Sequence, residues 1–211
     1  MTRQRLAALV GVASIVVFGA GVWWIRNRER RPYGPRWIVE GLPRPTLSRR
    51  RLLDLLAPAP GERVLEIGPG YGYYSLAVAR RLGTGGELSL VDIRPPLVEE
   101  TTRRASRQGL DNVVALTADA TELPFGDSEF SAAYLVACLG EVADGRSVLR
   151  ELTRVLRPDG RLVVGETIAD PHRVEPEVLA RWAQEAGLEC DARVGRTSYF
   201  ACFRHRAATS A

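Results

Sequence analysis

The sequence predicts an α/β fold that follows a single membrane-spanning helix. Three observations favour this arrangement: a charge-free apolar run near the N-terminus, short β-branched runs that alternate with helical patterns behind it, and an ordinary globular composition, 45% hydrophobic and 26% charged. Alternating strands and helices are typical of a parallel sheet covered by helices. A chain of 211 residues, less one membrane segment, is long enough for one domain with its own core.

The segment from Leu6 to Ile25 predicts the membrane-spanning helix. It carries no charge over about 20 residues, the length that a helix needs to cross the hydrocarbon core. Trp23 and Trp24 stand at its end, where aromatic rings favour the membrane interface. More arginines follow the run than precede it, so the domain behind it is expected in the cytoplasm. A cleaved signal peptide is the alternative, but the apolar run is long for one and bulky residues followed by arginines make a poor cleavage site.

The chain divides into four parts on this interpretation. Residues 1–31 form a single-pass membrane anchor with flanking arginines, and residues 32–45 form a linker rich in Pro, Gly and Arg that could lie along anionic head groups. Residues 46–206 form the folded domain, and residues 207–211 form a disordered tail. Leucines spaced between Thr46 and Leu56 predict a short amphipathic helix packed on the domain.

Charge and cysteine content argue against several classes of function. The formal net charge is +4, but the arginines crowd around the N-terminal segment and the linker, so no nucleic-acid partner is expected. The chain has no lysine, which excludes a lysine nucleophile or Schiff base. Its three cysteines are Cys138, Cys190 and Cys202; they form no Cys-x-x-Cys pair, so neither a disulfide framework nor a metal site is predicted.

The first strand of the domain runs into a glycine-rich turn. The segment ERVLEIGPGYGYYSLAVARRL predicts a strand at residues 64–67, a Gly-x-Gly-x-Gly turn and then a helix. Gly68, Gly70 and Gly72 let the backbone approach a ligand closely, and amides at a helix start favour an anionic group. A dinucleotide-binding loop would place its third glycine one position later, at Tyr73, and Glu66 also argues against such a loop. The turn therefore predicts a site for a nucleotide-like ligand other than NAD.

The following segments continue the alternation. ELSLVDI predicts a second strand that ends at Asp92 and Ile93, and LTADATELPF follows it with Asp119 and Ala120. FSAAYLVACLGEV predicts the fourth strand, and LRELTRVLRPDGRLVVGETI predicts a helix, a Pro-Asp-Gly turn and the fifth strand. A last helix at residues 175–186 precedes two closing strands around residues 188–193 and 198–204.

In this order the motifs resemble those of the class I S-adenosylmethionine-dependent methyltransferases. The first motif of that family is an apolar strand that ends in an acid and runs into Gly-x-Gly-x-Gly, as VLEIGPGYG does. The Leu-Pro-Phe stretch and the Arg-Pro-Asp-Gly turn look like the quinone and lipid methyltransferases of the type 11 branch. The resemblance covers roughly residues 52–203. It implies a Rossmann-like, doubly wound, mostly parallel sheet of seven strands, and S-adenosyl-L-methionine as the cofactor.

The resemblance also implies which residues bind the cofactor. Asp92 would accept hydrogen bonds from both ribose hydroxyls, which suits a carboxylate because it only accepts. Asp119 would accept a hydrogen bond from the adenine amino group, the backbone at Ala120 would meet the ring, and residues 123–125 would border the site. The full cofactor-binding set is Glu66, Gly68, Gly70, Gly72, Asp92, Ile93, Asp119 and Ala120.

The acceptor of the methyl group is less well defined by the sequence. Neither Asp-Pro-Pro-Tyr nor Asn-Pro-Pro-Tyr follows the fourth strand, and no Pro-Cys stands there, so methylation of nucleic-acid bases is not favoured. Ser131 stands where the family usually has Asp, and Leu-Gly-Glu at residues 139–141 replaces a common His-His. These departures leave the acceptor open. A small, hydrophobic or lipid-like acceptor is expected, such as a quinone ring or a lipid head group near the membrane.

The catalytic candidates are carboxylates at strand ends. Methyl transfer mainly requires that the acceptor be held in line with the S–CH3 bond, and a base is needed only when the attacking atom must lose a proton. Glu141 follows the fourth strand and Glu166 ends the fifth, so both are candidate bases, with His172 and Tyr199 as candidate substrate contacts. Two alternatives stay open: a nucleotide-dependent oxidoreductase on a similar sheet, and a non-catalytic membrane-tethered ligand-binding module.

Overall fold

The computed structural model describes residues 46–206. The predicted membrane anchor, the linker and the C-terminal tail all lie outside these residues. Within residues 46–206, every helix is too short or too polar to span a bilayer.

Seven strands form a single sheet in the described part of the chain, in the order β3-β2-β1-β4-β5-β7-β6. The first five strands run parallel, and β7 is antiparallel to both of its neighbours, β5 and β6. This confirms the predicted doubly wound, mostly parallel sheet. The strands are β1 (Arg63–Ile67), β2 (Glu87–Asp92), β3 (Val113–Thr117), β4 (Phe130–Val136), β5 (Leu156–Glu166), β6 (Leu188–Gly195) and β7 (Tyr199–His205).

The helices begin where their local sequences favour a start. Ser48 caps the first helix by accepting a hydrogen bond from the Arg51 amide, and Asp144 caps the fourth in the same way. Pro95 and Pro176 open the third and fifth helices, where a missing amide costs nothing. The helices are α1 (Arg49–Leu56), α2 (Ser75–Leu82), α3 (Pro95–Ser106), α4 (Gly145–Val155) and α5 (Pro176–Glu185), with a 3₁₀ helix at Leu139–Glu141.

The core lies on both faces of the sheet, as expected for parallel strands whose side chains alternate between two covered faces. Leu65 faces the side covered by α4 and α5. Val64, its neighbour, faces the side covered by α1 and α2. The predicted amphipathic helix is confirmed as α1, because its residues Leu52 and Leu56 are fully buried against the second face.

The Pro-Asp-Gly segment differs from the prediction. Phe130 pairs with Leu156, but Ala132 pairs with Arg161, so residues 157–160 bulge out of β5. The predicted turn is therefore an irregularity inside a strand that already begins at Leu156, and no separate connection precedes the strand.

Ser131 lies at the beginning of β4, at the edge of the sheet where the parallel strands start. Its hydroxyl accepts a hydrogen bond from Arg157 Nη1 at 3.2 Å. In an open α/β sheet, ligands bind at the opposite edge, outside the carboxyl ends of the strands. Ser131 therefore lies away from the edge at which such sheets bind ligands, and its bearing on the acceptor stays a prediction.

The order of strands reverses between β1 and β4. The chain winds outward from β1 through β2 to β3, and then returns to the other side of β1 to form β4 and β5. The loops that follow β1 and β4 consequently diverge and leave a crevice at their carboxyl ends, which is the usual ligand site of such sheets.

Candidate functional site

The glycine turn follows β1 in this crevice. Gly68, Gly70 and Gly72 all have positive φ angles, of 67°, 56° and 76°, which favour glycine. A Cβ atom at Gly68 would lie 2.6 Å from Cys138 Sγ, and one at Gly72 would lie 2.9 Å from Thr101 Cγ2. Thr101 is fully buried in α3, and its hydroxyl donates a hydrogen bond to the Gly70 carbonyl at 2.9 Å. The turn is thus packed against Cys138 and Thr101, and neither Gly68 nor Gly72 has space for a Cβ atom.

Glu66 lies just before the turn and is only 2% exposed. Tyr134, its neighbour on β4, donates its hydroxyl to Glu66 Oε2 at 2.8 Å. Burial raises the pKa of Glu66 to about 7, although the hydrogen bond from Tyr134 opposes the increase. Glu66 is therefore a buried acid that directly precedes the glycine turn.

Asp92 ends β2 beside the glycine turn. Its carboxylate accepts a hydrogen bond from the Arg94 amide at 3.0 Å. Burial raises the pKa of Asp92, while the Arg94 amide and then the amides of Gly70 and Ile93 lower it, so the carboxylate lies close to the turn. Ile93 follows with 64% of its surface exposed, an apolar side chain beside a carboxylate.

Asp119 and Ala120 lie next to this pair. The Ala118 amide donates to the Asp92 carbonyl at 3.2 Å, which joins the two segments. Asp119 Oδ1 accepts hydrogen bonds from the amide and hydroxyl of Thr121, both at 2.8 Å, and these bonds lower the pKa of Asp119. Its side chain is exposed, whereas Ala120 is buried. The predicted cofactor residues on β1, β2 and the segment after β3 therefore come together.

Two residues of α4 hold the Leu-Pro-Phe loop, and sequence reasoning missed both. Arg154 donates hydrogen bonds to the carbonyls of Leu123 and Phe125 at 3.2 and 2.8 Å, and it pairs with Glu151 at 2.7 Å. Glu151 in turn accepts a hydrogen bond from the Leu123 amide at 2.8 Å. Their spacing of three residues on a helix predicts the ion pair between them, since such residues lie on the same face, but it does not identify the loop that they hold.

Glu141 lies on the other side of the crevice, in the 3₁₀ helix after β4. Its carboxylate pairs with Arg94 at 3.2 Å, and both side chains are partly exposed. Because β1 lies between β2 and β4, this ion pair joins the two strands that flank the glycine turn. Arg94 was not predicted, although it follows Asp92 and Ile93 directly.

Glu166 is the last residue of β5 and is 0% exposed. Within residues 46–206, neither of its carboxyl oxygens has a hydrogen-bond partner. Burial raises the pKa of Glu166 to about 8 and the charge of Asp170 adds to the increase, while the nearby Val174 amide and then Arg173 oppose it. A buried carboxyl group without partners is uncommon and calls for an explanation.

The thiol of Cys138 lies within the electrostatic influence of Asp92, Glu141 and Glu166. Burial raises its pKa strongly, and the charges of Asp92, Glu141 and Glu166 raise it further in that order. Cys138 also lies against Gly68, so these charges act near the start of the glycine turn. A catalytic role for Glu141 and Glu166 stays a prediction.

His172 lies in the loop that follows β5, and Tyr199 forms a hydrogen bond to the same loop. The His172 amide donates to Asp170 Oδ1 at 2.8 Å, and a Cβ atom at Gly140 would lie 1.8 Å from the His172 carbonyl oxygen. Tyr199 is fully buried, and its hydroxyl donates to the Val174 carbonyl at 2.7 Å. The Tyr199 hydroxyl is thus committed to the backbone, and a direct contact of either residue with substrate stays a prediction.

Comparison with known proteins shows what this arrangement is similar to. The model of a family described as a methyltransferase domain matches residues 65–164. The chain is 36% identical over 129 residues to the ubiquinone/menaquinone biosynthesis C-methyltransferase UbiE of Vibrio campbellii, which covers 59% of this chain and 50% of the relative. It is 39% identical over 118 residues to the demethylmenaquinone methyltransferase of Thermus thermophilus, covering 56% and 53%. The chain thus spans about half the length of the curated relatives it matches.

Solved structures show the same fold at low sequence identity. A SAM-dependent methyltransferase from Aquifex aeolicus is similar with a TM-score of 0.66 and 19% identity, over 80% of this chain and 92% of that one. A geranyl diphosphate C-methyltransferase from Streptomyces coelicolor A3(2) also has a TM-score of 0.66, with 15% identity over 75% of this chain and 78% of that one.

Proposed function

We propose that the chain carries a class I S-adenosylmethionine-dependent methyltransferase domain and transfers a methyl group to a small-molecule acceptor. One observation supports the proposal most directly: a glycine turn with no space for a Cβ atom at Gly68 or Gly72 lies at the switch point of the sheet, with Asp92 beside it. Binding of ligands at this position is general for open α/β sheets.

The residues of the crevice fit S-adenosylmethionine. The turn at Gly68 offers bare backbone for close approach, and Asp92 offers carboxylate oxygens to ribose hydroxyls. Ile93 exposes an apolar surface that suits one face of the adenine ring, and the exposed Asp119 can accept from its amino group. When bound, the cofactor supplies an electrophilic methyl group on a sulfonium.

For the acceptor we propose a small, hydrophobic or lipid-like molecule, such as a quinone ring or a lipid head group. Two relatives carry quinone names, and this supports the proposal at the level of chemical class. Ile168 follows Glu166 by two residues and is 64% exposed, so an apolar side chain stands beside the buried candidate base. Glu166 and Glu141 are the carboxylates that would receive a proton from the acceptor.

Titration of the purified protein with S-adenosylmethionine tests the first step of this function. We expect saturable binding, measured by calorimetry. No heat at millimolar cofactor would contradict the proposal, and NADH binding in preference to S-adenosylmethionine would favour the oxidoreductase alternative. Binding without transfer to any component of a membrane extract would favour a non-catalytic module.

The Asp92→Ala variant should bind S-adenosylmethionine more weakly by roughly 1–3 kcal/mol, because the ribose hydroxyls lose a charged hydrogen-bond acceptor. Calorimetry at constant pH measures the change. Asp111→Ala is the matched control, since Asp111 is exposed at the opposite edge of the sheet, before β3. Equal affinity of the two variants would place the ribose elsewhere.

We also propose that residues 1–31 hold the protein at a membrane with its domain in the cytoplasm, on the basis of the apolar run. Removing residues 1–31 should move the protein from the membrane pellet to the soluble fraction, because no predicted motif lies in that segment. Cofactor affinity should be unchanged, as measured by calorimetry. A deletion variant that still sediments with membranes would contradict the anchor.

Glu166 should make the stability of the protein depend on pH. Its folded-state pKa of about 8 lies above its ordinary value of 4.5, so the folded state binds more protons than the unfolded state between these values. Stability should therefore be lost as pH rises through this window. Glu166→Gln lacks this loss. When the pH is raised from 5 to 9, the free energy of unfolding of the variant should therefore increase relative to that of the wild type by on the order of 3 kcal/mol.

Urea unfolding of both proteins at the two pH values measures this gain. Glu66, whose pKa is also raised, is present in both proteins and cancels in the comparison. Parallel pH profiles of the two proteins would show that Glu166 ionises normally.

A further inference from the structure

Three carboxyl groups gather where β4 and β5 end. Glu166 and Asp170 come from the end of β5 and its following loop, and Glu141 comes from the 3₁₀ helix after β4. Among the described residues, both Glu166 oxygens and Asp170 Oδ2 are buried and have no hydrogen-bond partner. Apart from the Val174 amide, which is close enough to lower the pKa of Glu166, no donor among the described residues reaches these oxygens, so they can accept from a donor that arrives from outside the fold.

The charges around Glu166 are predominantly negative. Asp170 and Glu141 both act against its ionisation, and Arg173 is the cation that opposes them. Arg173 is itself paired with Glu175, and it donates to the Thr197 carbonyl at 2.8 Å. The charge of Glu166 also raises the pKa values of Tyr199 and Cys138, so both of these groups stay neutral.

The cluster lies on the acceptor side of the cofactor site. Cys138 contacts Gly68 at the start of the glycine turn, and the charges of Glu141 and Glu166 raise the pKa of its thiol. A molecule whose reactive end meets Glu166 would therefore approach the cofactor from the β4 and β5 side, opposite to Asp92 on β2.

We propose that this carboxyl cluster receives a protonated amine, so that the methyl acceptor is an amine and the reaction is N-methylation. The proposal rests on the proposed methyltransferase function and narrows its acceptor. An alkylammonium group carries up to three donors and no acceptor, so it matches oxygens that lack donors. Its charge also matches the surplus of carboxylates.

The reaction balances with the groups in place. The ammonium group gives one proton to the Glu166 carboxylate, and the freed lone pair on nitrogen attacks the methyl carbon. The new N–C bond forms as the S–C bond breaks, and the electron pair of that bond stays on sulfur. Positive charge passes from sulfur to nitrogen, where Glu141 and Asp170 stabilise it as it develops.

A phenolic acceptor fits the same surroundings poorly. A phenol must become an anion to attack, and an anion beside these carboxylates is repelled. The fold contains an example: burial raises the pKa of the Tyr199 phenol, and the charge of Glu166 raises it further. Among the acceptors of the proposed class, a lipid head group or free molecule with an amine is therefore favoured over a quinol ring.

Small probes test the proposal without knowledge of the rest of the acceptor. The protein is labelled with carbon-13 at glutamate carboxyl groups and saturated with S-adenosylhomocysteine. The Glu166 resonance, assigned by its loss in Glu166→Gln, is titrated with pH in the presence of methylammonium chloride or methanol. Methylammonium should lower the midpoint of this titration in a saturable way, whereas methanol, its neutral counterpart, should leave it unchanged.

The variants Asp170→Asn and Glu141→Gln should each weaken the methylammonium effect, because each removes one of the surrounding charges. If methylammonium leaves the Glu166 midpoint unchanged in protein that binds S-adenosylhomocysteine, the amine proposal is overturned while the methyltransferase function stands. If S-adenosylhomocysteine and S-adenosylmethionine both fail to bind, the proposed function fails as well.

Transfer of labelled methyl groups then separates the two sources of the amine. Vesicles that contain phosphatidylethanolamine and solutions of ethanolamine are compared with 1,4-dihydroxynaphthalene. Label in the lipid alone identifies a head group, and label in ethanolamine identifies a free amine. Label in the dihydroxynaphthalene with both amines inert overturns the proposal.

Discussion

The Gly68→Ala variant is expected to remain folded and to lose affinity for S-adenosylmethionine by roughly 100-fold or more, which corresponds to about 3 kcal/mol. The added Cβ atom would lie 2.6 Å from Cys138 Sγ and 3.0 Å from Cys138 Cβ. The turn must shift to relieve this contact, and the shift moves the backbone that the cofactor meets. A φ angle of 67° adds strain for any residue other than glycine. Calorimetric titration measures the loss.

A matched control separates collision from strain. Gly109 has a φ angle of 65°, but a Cβ atom there would meet nothing within 4 Å. Gly109→Ala should therefore lose about 1–2 kcal/mol of stability, much like Gly68→Ala from strain alone, and keep full cofactor affinity. Adding Cys138→Ala to Gly68→Ala removes the nearest atom and should restore part of the affinity. Normal binding by Gly68→Ala itself would show that the turn does not hold the cofactor.

The Glu166→Gln variant is expected to lower turnover by roughly 10²–10⁴-fold, the usual contribution of proton transfer, with cofactor affinity unchanged. Glutamine keeps the shape of the side chain but cannot receive a proton. A base acts only when ionised, so the wild-type rate at low acceptor concentration should rise with pH and level off above about 8. The variant should lack the inflection near pH 8 and keep only the rise at higher pH that comes from deprotonation of the amine acceptor itself. Kinetics on the identified acceptor, measured across pH, provide the test.

Glu141→Gln is the companion variant, because Glu141 is partly exposed and already pairs with Arg94. If Glu141 only positions the acceptor, the loss should appear in KM with little change in kcat. Wild-type kinetics in both variants would remove the two carboxylates from the reaction. A loss of cofactor affinity in Glu166→Gln would instead indicate a structural role for Glu166.

The sequence predicted the central strands closely because their signal is local. The run at residues 64–67 is apolar and β-branched, and β1 extends it by one residue, Arg63. The glycine turn and Asp92 were also predictable, since a strand end and a positive φ angle each leave a mark on the residues themselves. Their convergence follows from the parallel order of the strands, which the motif order implied.

What the sequence could not show depends on contacts across the fold. The hydrogen bonds from Arg154 to the Leu-Pro-Phe loop join residues about thirty positions apart, and no spacing rule identifies them. Among residues 46–206, the lack of ordinary hydrogen bonds to the Glu166 carboxyl group is likewise a property of the packed structure. The hydrogen bond from the Tyr199 hydroxyl to the Val174 carbonyl also joins distant residues, and a contact of Tyr199 with substrate stays a prediction.

The position of β7 between β5 and β6 also sets the order in which the protein can be assembled during synthesis. β7 lies later in the chain than both of its neighbours, so β6 has no hydrogen-bonding partner in the sheet until β7 has left the ribosome. Because the N-terminal part of the chain leaves the ribosome first, the five strands from β1 to β5 can pair with one another before β7 is available. These strands carry the cofactor side of the site. Glu166 pairs with Tyr199 only in the last stage. A nascent chain should therefore become able to hold the methyl donor before its acceptor side is closed.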